Sequence, residues 1–432
     1  MLLLLLQIHV VRAPSSTATP IQHIIIIMQE NHSFDNYFGT YPTANGTRLD
    51  STTTHLQPVD GLRTSVCLPY QASCISPHLS TSEAPSNPEE GQTTYQLDYA
   101  NNGSGFATYS GPQSMVYFDY HSVAGYWDYA EEYGLGDRYF ASVMSTTTPN
   151  RLMTLTGDTP VSGNFGPPPS ISYSRTVMRQ LDDAGVSWGY YDYLSASGEP
   201  FSIYPLNYVS DVPSLALDKV RNISDLLGEL GSGSGLPSVS LVNSLGDFKL
   251  TEHPPFNPTA GERWVVSLVN RVMESSFWPS MAIFITWDEG GGFYDHVVPP
   301  RDFAINHSFT QDLVGFGQRV PLLVISPYSK ENFVSDTLLS HLSLLHFIEY
   351  NWALPPLDEL VAQSNLPLGF FNFSQALRTP IVLGSPDHYP IPLQSQSSGY
   401  LPGIPIGYEL VGIVAAVILL GGLSRRRKRR SS

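Results

Sequence analysis

The stretch Ile21–Tyr41, IQHIIIIMQENHSFDNYFGTY, decides how the rest of the chain is read. From His23 to Met28 it is almost wholly aliphatic and β-branched, which predicts a strand buried on both faces of a parallel sheet rather than one with a wet face. The apolar run ends abruptly in Gln29, Glu30, Asn31 and His32, followed by Ser33 and the run Phe34 to Phe38, broken by Asp35 and Asn36. In open α/β sheets ligands occupy the crevice beyond the carboxyl ends of the strands, so a carboxylate and an amide there read as site residues. Ser33 reads as the N-cap of the next helix.

The chain of 432 residues is 42% hydrophobic and only 14% charged, with 35 Gly and 35 Pro, a composition suited to long ordered loops over a sheet scaffold. The formal net charge is -16, yet the run Arg425 to Arg430 holds six of the 22 basic residues. Without that run, 16 basic residues face 38 acidic ones, a balance of -22. Such a body repels polyanions, which excludes nucleic acid as a partner.

The termini predict a location. Tyr408 to Leu423, YELVGIVAAVILLGGL, is apolar apart from Glu409, and with Ile404 to Gly407 it approaches the ~20 residues of a spanning helix. RRRKRR follows and by the positive-inside rule would stay cytoplasmic, which places the chain as a single-pass cell-membrane protein with its catalytic part outside. Leu2 to Ala13 resembles a secretory signal without a basic start. Cys67 and Cys74 are close enough in sequence to close a small disulfide loop or to remain buried thiols. Asn45, Asn102, Asn222, Asn306 and Asn372 head glycosylation sequons, as does Asn31.

Pro42 to about Gly111 reads as a long excursion over the strand ends, without a sustained period and with the character of a lid. Aromatic residues at helical spacing follow, from Ser114 to Gly134. Ser145 to Asp158, STTTPNRLMTLTGD, places four hydroxyls at a helix start, where exposed amides suit a phosphate and a threonine could attack phosphorus. Helices and strands then alternate as in an α/β protein. The buried strand MAIFIT, Met281 to Thr286, is followed by Trp287, Asp288, Glu289 and three glycines. Two adjacent carboxylates and a close backbone approach suit a hard cation beside a phosphate. His341 and His346, five residues apart, do not share a helical face and read as packing residues.

Four segments in this order, MQENHSFDNYFGTYP, TTTPNRLMTLTG, TEHPP followed by GERWVVSLVN, and WDEGGGFYDHVVPP, resemble the phosphoesterase family of bacterial phosphatidylcholine-type phospholipases C and an acid phosphatase. The resemblance spans about Ile21 to Asn351. It implies an alkaline-phosphatase-like α/β sandwich with a mainly parallel central sheet, and metal-assisted hydrolysis of phosphate esters, phospholipids or phosphomonoesters. By the same resemblance Thr147 would be the nucleophile, with Ser145, Thr146 and Thr148 as neighbours of the same chemistry. Glu30, Asn31, Asp288 and Glu289 would hold a divalent ion, His253 would contact phosphate or protonate the leaving group, and Asn150, Arg151 and His296 would contact substrate. Family members carry a further histidine between the first motif and the nucleophile, and here His55, His78 and His121 lack a matching context. An inactive relative serving as a surface protein is the alternative of a different class. The expected divisions are a signal-like segment at 1–13, a catalytic domain at 20–390, a linker at 391–405, a transmembrane helix at 406–423 and a basic tail at 424–432.

Overall fold

The computed structural model describes residues 16–44, 47–48, 56–164, 171–194, 204–210, 212, 218–301 and 315–384. Its centre is an eight-stranded sheet. In chain order the strands are β1 (His23–Gln29), β2 (Gly134–Gly136), β3 (Trp188–Asp192), β4 (Val220–Asn222), β5 (Val239–Val242), β6 (Met281–Trp287), β7 (Leu322–Ile325) and β8 (Phe333–Ser335). They lie side by side as β4-β3-β5-β1-β6-β7-β2-β8. Within this sheet only β7 runs against its neighbours, pairing antiparallel with β6 and β2, so the expected α/β class with a mainly parallel sheet is borne out.

Side chains alternate faces along a strand, and Ile24, Ile25, Ile26 and Ile27 are all buried, so both faces of β1 are covered as its composition requires. Register then sets the site. Gln29 at the end of β1 pairs with Trp287 at the end of β6, which puts the next residues, Glu30 and Asp288, side by side beyond the sheet. On the other flank Ile27 pairs with Val242, which brings Asn243 to the same edge.

The helices that matter to the site are α1 (Phe34–Phe38), α2 (Gln92–Asp98), α3 (Tyr120–Glu132), α4 (Thr147–Thr156), α5 (Pro258–Glu274) and α6 (His341–Asn351). Ser33 caps α1 by accepting from the Asn36 amide at 3.2 Å. α5 packs on α3 and α6 on α4, in one core shared with the strands. Gly125 permits the first contact, because a Cβ there would fall 2.6 Å from Val266.

The excursion after the first motif is more ordered than its composition predicts. α2 and two short helical turns, Ala100–Gly103 and Phe106–Tyr109, build a second apolar cluster from Leu68, Tyr95, Tyr99, Phe106, Ala107, Met115, Met144 and Tyr294. Tyr95 and Tyr99 stand four residues apart, one helical turn, a signal that the surrounding Ser, Pro and Gly obscured. Met144 lies just before the second motif and Tyr294 belongs to the fourth, so the segment is packed against the site rather than swung over it. Cys67 and Cys74 are joined as a disulfide across the hairpin Leu68–Tyr70 and Ser73–Ile75.

The expectation of a single-pass membrane protein is corrected. Among the described residues no helix is long and apolar enough to cross a membrane. The segments 1–13 and 391–432, on which the signal, linker, span and tail were read, lie outside the described residues. Asn45, Asn306 and His55 lie outside them as well, and Asn31 is fully buried, which rules out a glycan on its side chain.

Candidate active site

Glu30, Asp288 and Glu289 sit in the interior at the ends of β1 and β6, each no more than 2% exposed. Arg151 enters from the second turn of α4. Its guanidinium bonds Glu30 Oε1 at 2.8 Å, Asp288 Oδ2 at 2.9 Å, Asn243 Oδ1 at 2.5 Å and the Gln29 carbonyl at 3.2 Å. The Asn31 amide donates to Asp288 Oδ1 at 3.3 Å. Asn31 adopts the left-handed conformation, φ 61°, which asparagine tolerates better than most residues. Gly291, φ 62°, lets the acidic loop lie against it, since a Cβ there would fall 2.5 Å from the Asn31 carbonyl oxygen.

The charge balance is unequal. Burial raises the Asp288 carboxyl well above its ordinary range, Glu30 adds to the rise, and Arg151 opposes it. Burial, Glu90 and Asp288 together raise Glu289 in the same way. Two oxygens, Asn31 Oδ1 and Glu289 Oε1, are buried with no hydrogen-bond partner among the described atoms. Three buried carboxylates with one guanidinium among them, and two orphaned acceptors, are an oxygen-rich set that fits a hard divalent cation.

Four hydroxyls open α4, and the structure separates them. Ser145 donates to the Ser162 carbonyl at 2.5 Å, while Thr146 and Thr148 donate to Asn164 Oδ1 at 3.0 and 3.1 Å. Thr147 is the hydroxyl turned to the carboxylates, with Oγ1 3.4 Å from Glu30 Oε2. Asn150 braces the turn beneath: its Oδ1 accepts from the Val143 amide at 2.9 Å, and its Nδ2 donates to the Ser145 and Thr146 carbonyls. The helix begins at Thr147, so Pro149 lies within its first turn, where a missing N–H is tolerated.

His253 holds its Nδ1 against the Pro254 carbonyl at 2.6 Å, and because a carbonyl only accepts, that nitrogen carries a proton. Its Nε2 lies 3.6 Å from Glu90 Oε1. Glu90 also accepts from Asn31 Nδ2 at 2.7 Å. The neighbouring Glu252 is wholly buried and receives bonds from Tyr37, Tyr126, Gln29 and Trp287. Burial nevertheless pushes it up to about 8 against those four donors.

His296 is placed elsewhere. Its Nδ1 bonds Asp35 Oδ2 at 2.7 Å and its Nε2 meets Asp60 at 3.1 Å. Asp35, Asp295 and His296 offer ligand atoms within 4.8 Å of one another, close enough to share a metal ion. The Arg319 guanidinium already bonds Asp35 at 3.0 Å, Asp295 at 3.1 Å and Asp137 at 3.2 Å. Burial pulls His296 down but the bond to Asp35 overrides it, so the imidazole is pushed up to about 9. His341 is buried against the Trp287 carbonyl at 3.0 Å and His346 bonds the Ser364 carbonyl at 2.7 Å, both in packing positions as expected.

Sequence reading overlooked Glu90 and did not single out Glu252. Glu90 lies in PSNPEEGQ, where a doubled acid before a glycine and a helix was a weak signal. Glu252 adjoins the histidine that was chosen, and its φ of 71° and four donors belong to the folded chain alone.

Residues 21–355 match the Phosphoesterase family. The chain is 28% identical to Phospholipase C B of Mycobacterium tuberculosis, covering 82% of this chain and 78% of that one. It is also 28% identical to Non-specific phospholipase C1 of Arabidopsis thaliana, covering 74% and 63%. A crystal structure of a protein in the alkaline phosphatase superfamily from Vibrio parahaemolyticus aligns over 82% of this chain and 74% of its own at 10% identity and a TM-score of 0.39, a likeness that adds nothing to the sheet order described above. The chain belongs to the Phosphoesterase family and is a phosphoric ester hydrolase.

Proposed function

We propose that this hydrolase cleaves phosphodiesters of the phospholipase C type, with Thr147 as nucleophile and a divalent ion held by Glu30, Asn31, Asp288 and Glu289. The carrying observation is that, of the four hydroxyls at the start of α4, Thr147 makes a long contact of 3.4 Å with buried Glu30 while the other three are tied to Ser162 and Asn164. The names of the relatives support a lipid phosphodiester as substrate.

In this reading Thr147 Oγ1 forms a bond to phosphorus as the bond to the leaving oxygen breaks, and water later displaces the threonine. The positive end of the α4 dipole at Thr147 favours the negative charge of a phosphate bound there. When bound, the divalent ion would supply the positive charge that stabilises the ionised hydroxyl and a non-bridging oxygen. His253 gives the leaving oxygen its proton from Nε2, since Nδ1 is engaged with Pro254. Arg151, with its donors taken by Glu30, Asp288, Asn243 and backbone carbonyls, acts as an internal counter-cation rather than a substrate ligand. Asn150 sets the turn that presents Thr147, and His296 belongs to the Arg319 cluster instead of the substrate pocket. The catalytic domain extends over residues 20–390.

Release of diacylglycerol from phosphatidylcholine, compared with release of phosphate from monoesters, tests the substrate with the divalent ion supplied. Diacylglycerol release that exceeds monoester cleavage and disappears in Thr147→Ala supports the proposal. Undiminished turnover by that variant would remove Thr147 from the reaction.

A further inference from the structure

We propose that Glu90, carried by the excursion that the sequence marked as structureless, is a specificity-determining residue that sets the enzyme against doubly charged phosphomonoesters and in favour of singly charged phosphodiesters. The inference deepens the reading above and rests on it.

Three observations place Glu90 in the site. Its Oε1 accepts from Asn31 Nδ2 at 2.7 Å, a bond that fixes the amide whose other atom, Oδ1, is buried and unpartnered. The same oxygen lies 3.6 Å from His253 Nε2, the nitrogen assigned to the leaving group. Buried Tyr95, one turn along the same segment, faces both Glu289 and Glu90, whose charges push its hydroxyl up after burial itself. Glu90 is therefore not a surface side chain that drifted inward.

The segment is also held from below. Glu89 exchanges backbone and side-chain hydrogen bonds with Ser110. A Cβ on Gly292 of the fourth motif would fall 2.8 Å from the Glu89 carbonyl, so the acidic loop and this segment meet backbone to backbone. Met144 and Tyr294 close the apolar cluster beneath α2.

The consequence follows from charge. A phosphodiester carries one negative charge, whereas a monoester gains most of a second above its second ionisation at about 6. A fixed carboxylate beside His253 repels that second charge across a partly screened gap, the two side chains being 16% and 20% exposed. Glu90→Gln keeps an oxygen for the Asn31 amide and removes only the charge. Glu90→Asp keeps the charge.

The test compares kcat/KM for p-nitrophenyl phosphate and bis(p-nitrophenyl) phosphate on the same metal-loaded samples, about two pH units above the second phosphate ionisation. A ratio taken on one sample cancels losses of folded or loaded enzyme. Glu90→Gln should raise the monoester-to-diester ratio about tenfold, and Glu90→Asp should leave it as in the wild type. The calorimetric affinity for inorganic phosphate relative to dimethyl phosphate should rise in parallel, and it decides the matter if Glu90→Gln turns over neither ester. An unchanged ratio in Glu90→Gln, in turnover or in affinity, overturns the proposal. Wild-type enzyme that cleaves neither ester would strike the hydrolytic reading itself and is told apart by that control.

Discussion

The first and fourth motifs together build two acidic clusters, the second joined by Asp137, and the two differ in how their charge is met. Glu30 with Asp288 and Glu289, at the strand ends, has Arg151 as its cation and leaves Glu289 Oε1 and Asn31 Oδ1 without partners. Asp35 with Asp295 and Asp137, a few residues further along, surrounds Arg319 and adds an imidazole pushed up to about 9, its burial outweighed by Asp35. By distance the second cluster is the one that could share a metal ion. Its charge is better met, with two cations against Asp35, Asp137 and Asp295, and Arg319 is also stacked over Phe34 at 4.3 Å. The comparison teaches that ligand spacing alone does not identify a cation site. A deficit of positive charge and an orphaned acceptor carry more information.

If the two clusters are divided in this way, substitutions in them should fail differently. The largest effect is expected at Thr147, where alanine should lower kcat roughly 10^3-fold or more, with the melting temperature of the metal-free protein little changed. Next, Glu289→Gln should abolish tight binding of a divalent ion and the activity with it, while the metal-free protein becomes no less stable, because an uncompensated buried charge has been removed. Differential scanning fluorimetry with and without metal would show whether stability and binding separate.

Arg319→Met tests the other half. It leaves Asp35, Asp137 and Asp295 buried without their cation and should cost about 3–5 kcal/mol of stability, measured by urea unfolding, with metal affinity unaltered among molecules that remain folded. Equal loss of metal affinity in this variant would merge the two clusters into one.

The smallest effect concerns pH. His296 titrates higher in the folded protein, at about 9, than its ordinary 6.5, and the cause is Asp35 overriding burial. A raised imidazole contributes stability that is complete below the unfolded value and lost as pH rises through the folded one. The melting temperature should therefore decline between about pH 7 and pH 9.5, and His296→Gln should flatten that decline. A wild-type curve that is flat across this window would contradict the assignment of His296 to the Arg319 cluster.

Much of the fold was readable because β1 and β6 are buried on both faces and leave no ambiguity of pattern. Their ends, and hence Glu30 and Asp288, could be placed from composition, as could Ser33 at its cap. Arg151 illustrates the limit, since its residue type is compatible with substrate or with buried carboxylates and only the inward path of α4 decides. His296 looked like part of the acidic loop, but Asp35, 261 residues away, claims it, and Asp35 is in turn bound by Arg319. Glu90 was invisible for a related reason: it is 59 residues from Asn31 and reaches it through a segment whose order comes from packing against Met144 and Tyr294.

The most direct measurement is calorimetric titration of a divalent ion into the metal-stripped wild type, Glu289→Gln and Asp295→Asn. Tight binding in the wild type and Asp295→Asn, and none in Glu289→Gln, is the predicted result. Binding lost with Asp295 and kept without Glu289 would place the ion in the cluster around Arg319 and contradict the account.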